Sequence, residues 1–127
     1  MTFAWSEFLD IARFLQSEGA NNSIPQEAAY RCAISRAYYS AFCHSRCYAS
    51  ARLQFNPTWT DDDHRILRHH LWNRGMQTES QNLDRLRQWR NDCDYHNYPS
   101  VSSYEHAFTN LYDQICTIYR ASNFIFN

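Results

Sequence analysis

Along most of the chain apolar residues recur every three to four positions, interrupted by short polar breaks, which is the pattern of amphipathic helices rather than strands. Residues 3–18 set Trp5, Phe8, Leu9, Ala12 and Leu15 at helical spacing, with Glu7, Asp10 and Arg13 opposite. Gly19-Ala20-Asn21-Asn22-Ser23 is expected to end this helix, as glycine often follows a helix C-terminus. Ser23-Ile24-Pro25-Gln26-Glu27 then reads as a helix start, with proline near the first turn and an acid close behind. The second helix, about 26–53, is apolar or small nearly all round. One stripe holds Tyr30, Ile34, Ala37, Tyr38, Ala41 and Tyr48, another Cys32, Ala33, Ser40, Cys43 and Cys47. It is expected to be central, its Ala, Ser and Cys allowing close approach by several neighbours. A third, shorter helix of about 61–73 opens on Thr60-Asp61-Asp62-Asp63, a capping hydroxyl with acids suited to the helix dipole. It turns Ile66, Leu67, His70 and Leu71 inward. The fourth begins near Thr78 or Ser80 and carries Leu83, Leu86, Trp89 and Cys93 on one face, before Pro99 stops it. The fifth, about 103–121, aligns Tyr104, Phe108, Leu111, Ile115 and Ile118, with Ser102 as cap and Glu105 in the capping-box position. The pattern predicts an all-α bundle of four to five helices, a single domain over residues 1–127 without repeat or linker.

Composition narrows this picture. Two Gly and three Pro in 127 residues leave little material for the turns of an all-β fold. A net charge of −1 argues against a generally basic nucleic-acid coat, so any anion site must be local. All 12 basic residues are Arg, whose planar fork suits carboxylate and phosphate. Nine Tyr and four Trp suggest a protein–protein surface, and the Phe124-Ile125-Phe126 tail is expected to fold back or dock on a partner. Five Cys without paired short spacings read as a reduced, cytoplasmic pattern. The N-terminal residues lack a signal-peptide pattern, and no stretch approaches a membrane span.

Candidate chemistry concentrates at Arg90-Asn91-Asp92-Cys93-Asp94-Tyr95-His96-Asn97-Tyr98-Pro99. No metal or cofactor is expected. Cys43, His44 and Cys47 lack the usual zinc knuckle, and His64, His69 and His70 lack a partnering acid and read as surface or rim residues. A Cys93–His96 nucleophile is disfavoured because Cys93 lies on the apolar stripe, where a thiol is normally inert. Two glycines cannot build a phosphate loop. For Arg90 the plain structural reading is an ion pair with Asp94 one turn on, and for His96 a favourable place at a helix C-terminus. Six residues at about 100° each set Arg90 and His96 roughly 120° apart on a straight helix. Either the helix loosens before Pro99, or the two act across a cleft completed by a second copy of the chain.

Arg90-Asn91 followed by His96 resembles the signature of the HEPN superfamily (higher eukaryotes and prokaryotes nucleotide-binding domain), an Arg and a polar neighbour preceding a His. Arg31-Cys32-Ala33-Ile34-Ser35-Arg36-Ala37-Tyr38-Tyr39-Ser40-Ala41-Phe42 is similar to that family's Ser-Arg-x-Tyr-Tyr helix, and Leu83–Tyr95 to its stretch ending in Asp-Tyr. With Trp5–Ala12 the likeness spans most of the chain in the expected order. It implies a four- or five-helix up-and-down bundle that dimerises, with the motif lining the dimer cleft as a composite active site. The aromatic content and apolar tail extend the expectation to a higher homo-oligomer. Many members are metal-independent endoribonucleases of toxin–antitoxin, CRISPR-linked and anti-phage systems. In several toxins the motif continues His-x-Tyr, as His96-Asn97-Tyr98 does here, and that Tyr is modified by a nucleotidyltransferase antitoxin. Those motifs have four intervening residues, this one five.

The expected reaction is cleavage of single-stranded RNA by its own 2′-OH. His96 exchanges the proton, Arg90 stabilises charge at phosphorus, and Asn91 orients His96 or the phosphate. Tyr95, Tyr98 and Trp89 are available to stack bases. The alternatives are a non-catalytic module partnering a nucleotidyltransferase, and a nucleotide-binding helical domain.

Overall fold

A computed structural model describes residues 3–96 and 104–121. Five helices follow one another: α1 Ser6–Ala20, α2 Gln26–Arg52, α3 Asp63–Asn73, α4 Gln77–Tyr95 and α5 Tyr104–Ala121. Among the described residues there is no strand, and the architecture is an all-α bundle.

Helix α2 is the axis of the molecule, packing most extensively on α1, then on α5 and α4, and lightly on α3. The reason lies in its sequence. Thirteen of its 27 residues are buried and lie around most of the helix, with small ones such as Ala33, Ala37, Ser40, Ala41 and Ala49 among them, so backbones approach from several sides. The neighbours fill the intervening space with larger groups: Leu9 from α1, Leu67 and Leu71 from α3, Leu83 and Leu86 from α4, and Leu111, Ile115 and Ile118 from α5. Buried polar groups find partners, as where the Ser40 and Tyr119 hydroxyls meet at 2.8 Å between α2 and α5.

Two helix ends differ in detail from the sequence expectation. The α1 end falls within the expected Gly19–Ser23 stretch, but Gly19 is itself still helical: the helix runs on to Ala20, Asn21 is the C-cap, and Asn22 takes the left-handed conformation at φ 59°. Asparagine tolerates that region. Gly19 is small because α2 passes close by: a Cβ there would stand 2.9 Å from Ala29 Cβ and 3.0 Å from the Tyr30 ring. At α3, the Thr60 hydroxyl does not cap the helix but bonds the Thr58 hydroxyl at 2.7 Å. The acid that organises this end is Asp63, which is fully buried. Its Oδ1 accepts from the Thr58 amide (2.8 Å) and hydroxyl (2.7 Å), and its Oδ2 from the Trp59 amide (3.1 Å) and Arg46 Nη1 (3.2 Å). Burial pushes the Asp63 carboxyl up, but the bonds from Thr58, Trp59 and Arg46 outweigh it and hold the carboxyl below the usual carboxylate range.

Candidate functional site

Residues 31, 35, 38 and 39 of α2 recur at four, three and one positions, which lines them along one helical face. That face meets the C-terminal turns of α4. Arg31 Nη1 donates to the His96 carbonyl at 2.7 Å and to the Cys93 carbonyl at 3.3 Å. A guanidinium therefore caps the carbonyl groups that the end of α4 leaves without helical partners. One turn on, Ser35 Oγ donates to Asp94 Oδ2 at 3.2 Å. Asp94 also faces Arg90, whose Nη1 is 3.7 Å from Oδ2, as the four-residue spacing predicted. Next along α2, the Arg90 guanidinium carbon lies 5.3 Å from the Tyr38 ring centre and 5.4 Å from that of Tyr39. The other motif arginine, Arg36, stands 5.0 Å from the Tyr39 ring centre, so Tyr39 has a guanidinium contact from each helix.

Arg90 is thus fixed rather than free-swinging. It is 7% exposed, and among the described residues its Nε has no hydrogen-bond acceptor. Asn91 is half-buried, and among the described residues its side chain makes no hydrogen bond.

His96 lies just outside α4. It is the C-cap, in an extended conformation at φ −105° and ψ 133°, and its imidazole is exposed. Its Nε2 stands 3.7 Å from Asp92 Oδ1, a pair that is ionic only when the ring is protonated. The helix does stop before Pro99, as one of the two readings of the angular mismatch requires. Yet no contact joins Arg90 to His96 among the described residues: Arg90 belongs to the α2–α4 seam and His96 to the solvent side of the α4 end. Tyr95 is exposed and Trp89 packs against the core. Tyr98 lies outside the described residues. Cys93 is buried, which pushes its thiol up to about 11 and leaves it a poor nucleophile.

His64 is placed differently from the rim position expected of it. It stacks on Phe42 with ring centres 3.9 Å apart, and its Nδ1 hydrogen-bonds the Tyr38 hydroxyl. Burial and then the Arg90 and Arg87 guanidinium groups lower its pKa to about 4. The histidine that the fold brings to the Arg90 neighbourhood is therefore His64. No spacing rule reveals this, because the contact joins two helices 26 residues apart. Arg31 was more legible, being one turn before Ser35 on the same face.

Among the described residues no three His, Cys, Asp or Glu side chains are grouped as a metal site would need. A groove of about 480 Å³ between α3 and α4 is lined by Arg68, His69, Trp72, Ser80 and Asp84, with Arg68 and Asp84 paired at 3.6 Å. No helix in the described residues is long and apolar enough to cross a membrane. No family model, curated protein or solved structure matches the chain.

Proposed function

We propose that this protein is a HEPN-type, metal-independent endoribonuclease that acts on single-stranded RNA as a cytoplasmic homodimer or higher homo-oligomer. It would serve as the toxin of a toxin–antitoxin or related defence system. One observation carries the reading: the two segments that resemble the family lie more than 50 residues apart, yet they meet side chain to side chain through Ser35–Asp94, Arg90–Tyr38 and Arg90–Tyr39. A chance likeness in two separate stretches gives no reason for them to form one polar seam.

In the proposed reaction the ribose 2′-OH loses its proton and attacks the adjacent phosphorus. The P–O5′ bond breaks, the departing oxygen takes a proton, and a 2′,3′-cyclic phosphate remains. The exposed His96 exchanges these protons, and the held Arg90 guanidinium faces the charge that develops on phosphorus. Asn91 orients one of them, and Tyr95 and Tyr98 stack bases, Tyr98 also being the residue a nucleotidyltransferase antitoxin would modify. Because Arg90 and His96 do not meet within one chain, the reading takes His96 from one protomer and Arg90 from the other.

The test is RNA cleavage in EDTA by wild type, His96→Ala and Arg90→Lys, the lysine keeping the charge of a half of the seam that alanine would collapse. Loss of at least a hundredfold in both variants, with unchanged thermal unfolding of His96→Ala, is expected. Full cleavage by either variant sinks the assignment.

The burial and pairing of Arg90 favour a second reading, in which the seam is purely structural and the protein is a non-catalytic partner of a nucleotidyltransferase. That reading predicts no RNA turnover, and destabilisation rather than loss of activity on changing Arg90.

A further inference from the structure

Four arginines surround the place where α2, α3 and α4 meet, and their acids do not balance them. Arg46 is paired with Asp63, Arg68 with Asp84 and Arg90 with Asp94. Among the described residues Arg87, one turn before Arg90, forms no ion pair, and its Nε, like that of Arg90, is buried without an acceptor. A buried N–H left without an acceptor is destabilising, and two within one turn of one helix call for an explanation. Beside them stands His64. The Tyr38 hydroxyl is bonded to its Nδ1, and Nε2 has no hydrogen-bond partner among the described residues.

We infer that Tyr38, His64, Arg87 and Arg90 form a receiving site for a phosphate group, in which His64 donates a hydrogen bond through Nε2. In this site the Tyr38 hydroxyl donates to His64 Nδ1, one of the two senses that the contact allows. A neutral imidazole that accepts at Nδ1 carries its hydrogen on Nε2. Every group thereby offered to a ligand is a donor, and one cation is unbalanced, which selects an oxyanion. Arg87 and His64 are half-buried and keep a solvent-facing part, whereas Arg90 is held in place from behind by Asp94 and the two tyrosines. The α3–α4 groove is a poorer choice for the same ligand, since Asp84 neutralises Arg68 there.

On the reading proposed above, the phosphate is that of an RNA strand, and His64 is a binding residue beside the reacting group. The experiment follows the His64 ring nitrogens by NMR in the whole protein while inorganic phosphate is added. In parallel it measures binding of a 2′-deoxy oligonucleotide, which cannot be cleaved for want of the attacking hydroxyl. A saturable shift at His64 Nε2 that Arg87→Met abolishes is expected, as is at least a fivefold weaker hold on the oligonucleotide in Arg87→Met and His64→Phe. The phenylalanine keeps the stacking on Phe42; should it unfold, His64→Gln, which restores a donor, is expected to bind like wild type. No shift at His64 with inorganic phosphate, or a shift that Arg87→Met leaves intact, overturns the site. A shift with inorganic phosphate but undiminished oligonucleotide binding overturns RNA as its source. Because neither readout needs cleavage, inactivity of the wild type would count against the nuclease and not against this site.

Discussion

At the scale of single residues, Arg31 and Asp63 show how one side chain organises a segment. Arg31 satisfies two carbonyl groups at the end of α4 and so fixes where His96 leaves the helix. Replacing it with alanine should cost about 1–2 kcal/mol in denaturant unfolding, since charge-assisted bonds to a helix end are lost. It should also raise hydrogen exchange over residues 92–96 before the rest of the bundle is affected. Asp63 gathers Thr58, Trp59 and Arg46 around a fully buried carboxylate. Its pKa is depressed in the folded state, so its contribution is present above the ordinary carboxylate range and is lost as pH falls through the lower folded value. Asp63→Asn should therefore destabilise the protein by roughly 2–4 kcal/mol at neutral pH. The gap from wild type should narrow in acid, as measured by unfolding at a series of pH values.

At the scale of elements, α1 and α2 pack closely because Gly19 has no side chain. Alanine there would add about 1 kcal/mol of helix propensity. Its Cβ, however, would meet Ala29 Cβ at 2.9 Å, and that atom is rooted in the α2 backbone and cannot swing aside. Overpacking costs about 1–3 kcal/mol, so Gly19→Ala should lower the thermal midpoint although it replaces a glycine inside a helix. A rise in the midpoint would show that the helices separate easily. The same α2 serves the candidate site with a different face: Arg31, Ser35, Tyr38 and Tyr39 lie toward α4, while Ala29 and Tyr30 lie toward α1.

At the scale of the whole molecule, two half-buried imidazoles make stability depend on pH. Burial lowers the His44 pKa to about 4, where its ring stacks on Tyr119 at 4.0 Å, and burial with Arg90 and Arg87 lowers that of His64 to about 4. The unfolded chain takes up these protons near pH 6.5, the folded chain only near 4. Stability from this source is present above pH 6.5 and falls as the pH drops from about 6.5 to about 4. His44→Phe keeps a ring against Tyr119 and should flatten that slope by one proton. The composite site makes a separate prediction. Mixing Arg90→Lys chains with His96→Ala chains should restore about a quarter of wild-type cleavage, because half the dimers are mixed and each mixed dimer rebuilds one site. No recovery on mixing means that Arg90 and His96 act within one chain, or not at all.

Periodicity along the chain determined the five helices and the central place of α2, because small or apolar residues around most of a helix leave it stable only when surrounded. It also determined the Arg90–Asp94 pair, which is local and set by helix geometry. Tertiary structure alone decided what lies between helices. Arg31 caps the end of α4, Gly19 makes room for α2, and His64 rather than His96 stands beside the Arg90 seam. Each of these contacts joins residues on different helices, and the relative height and rotation of two packed helices follow from the summed fit of their side chains, not from the repeat within either one.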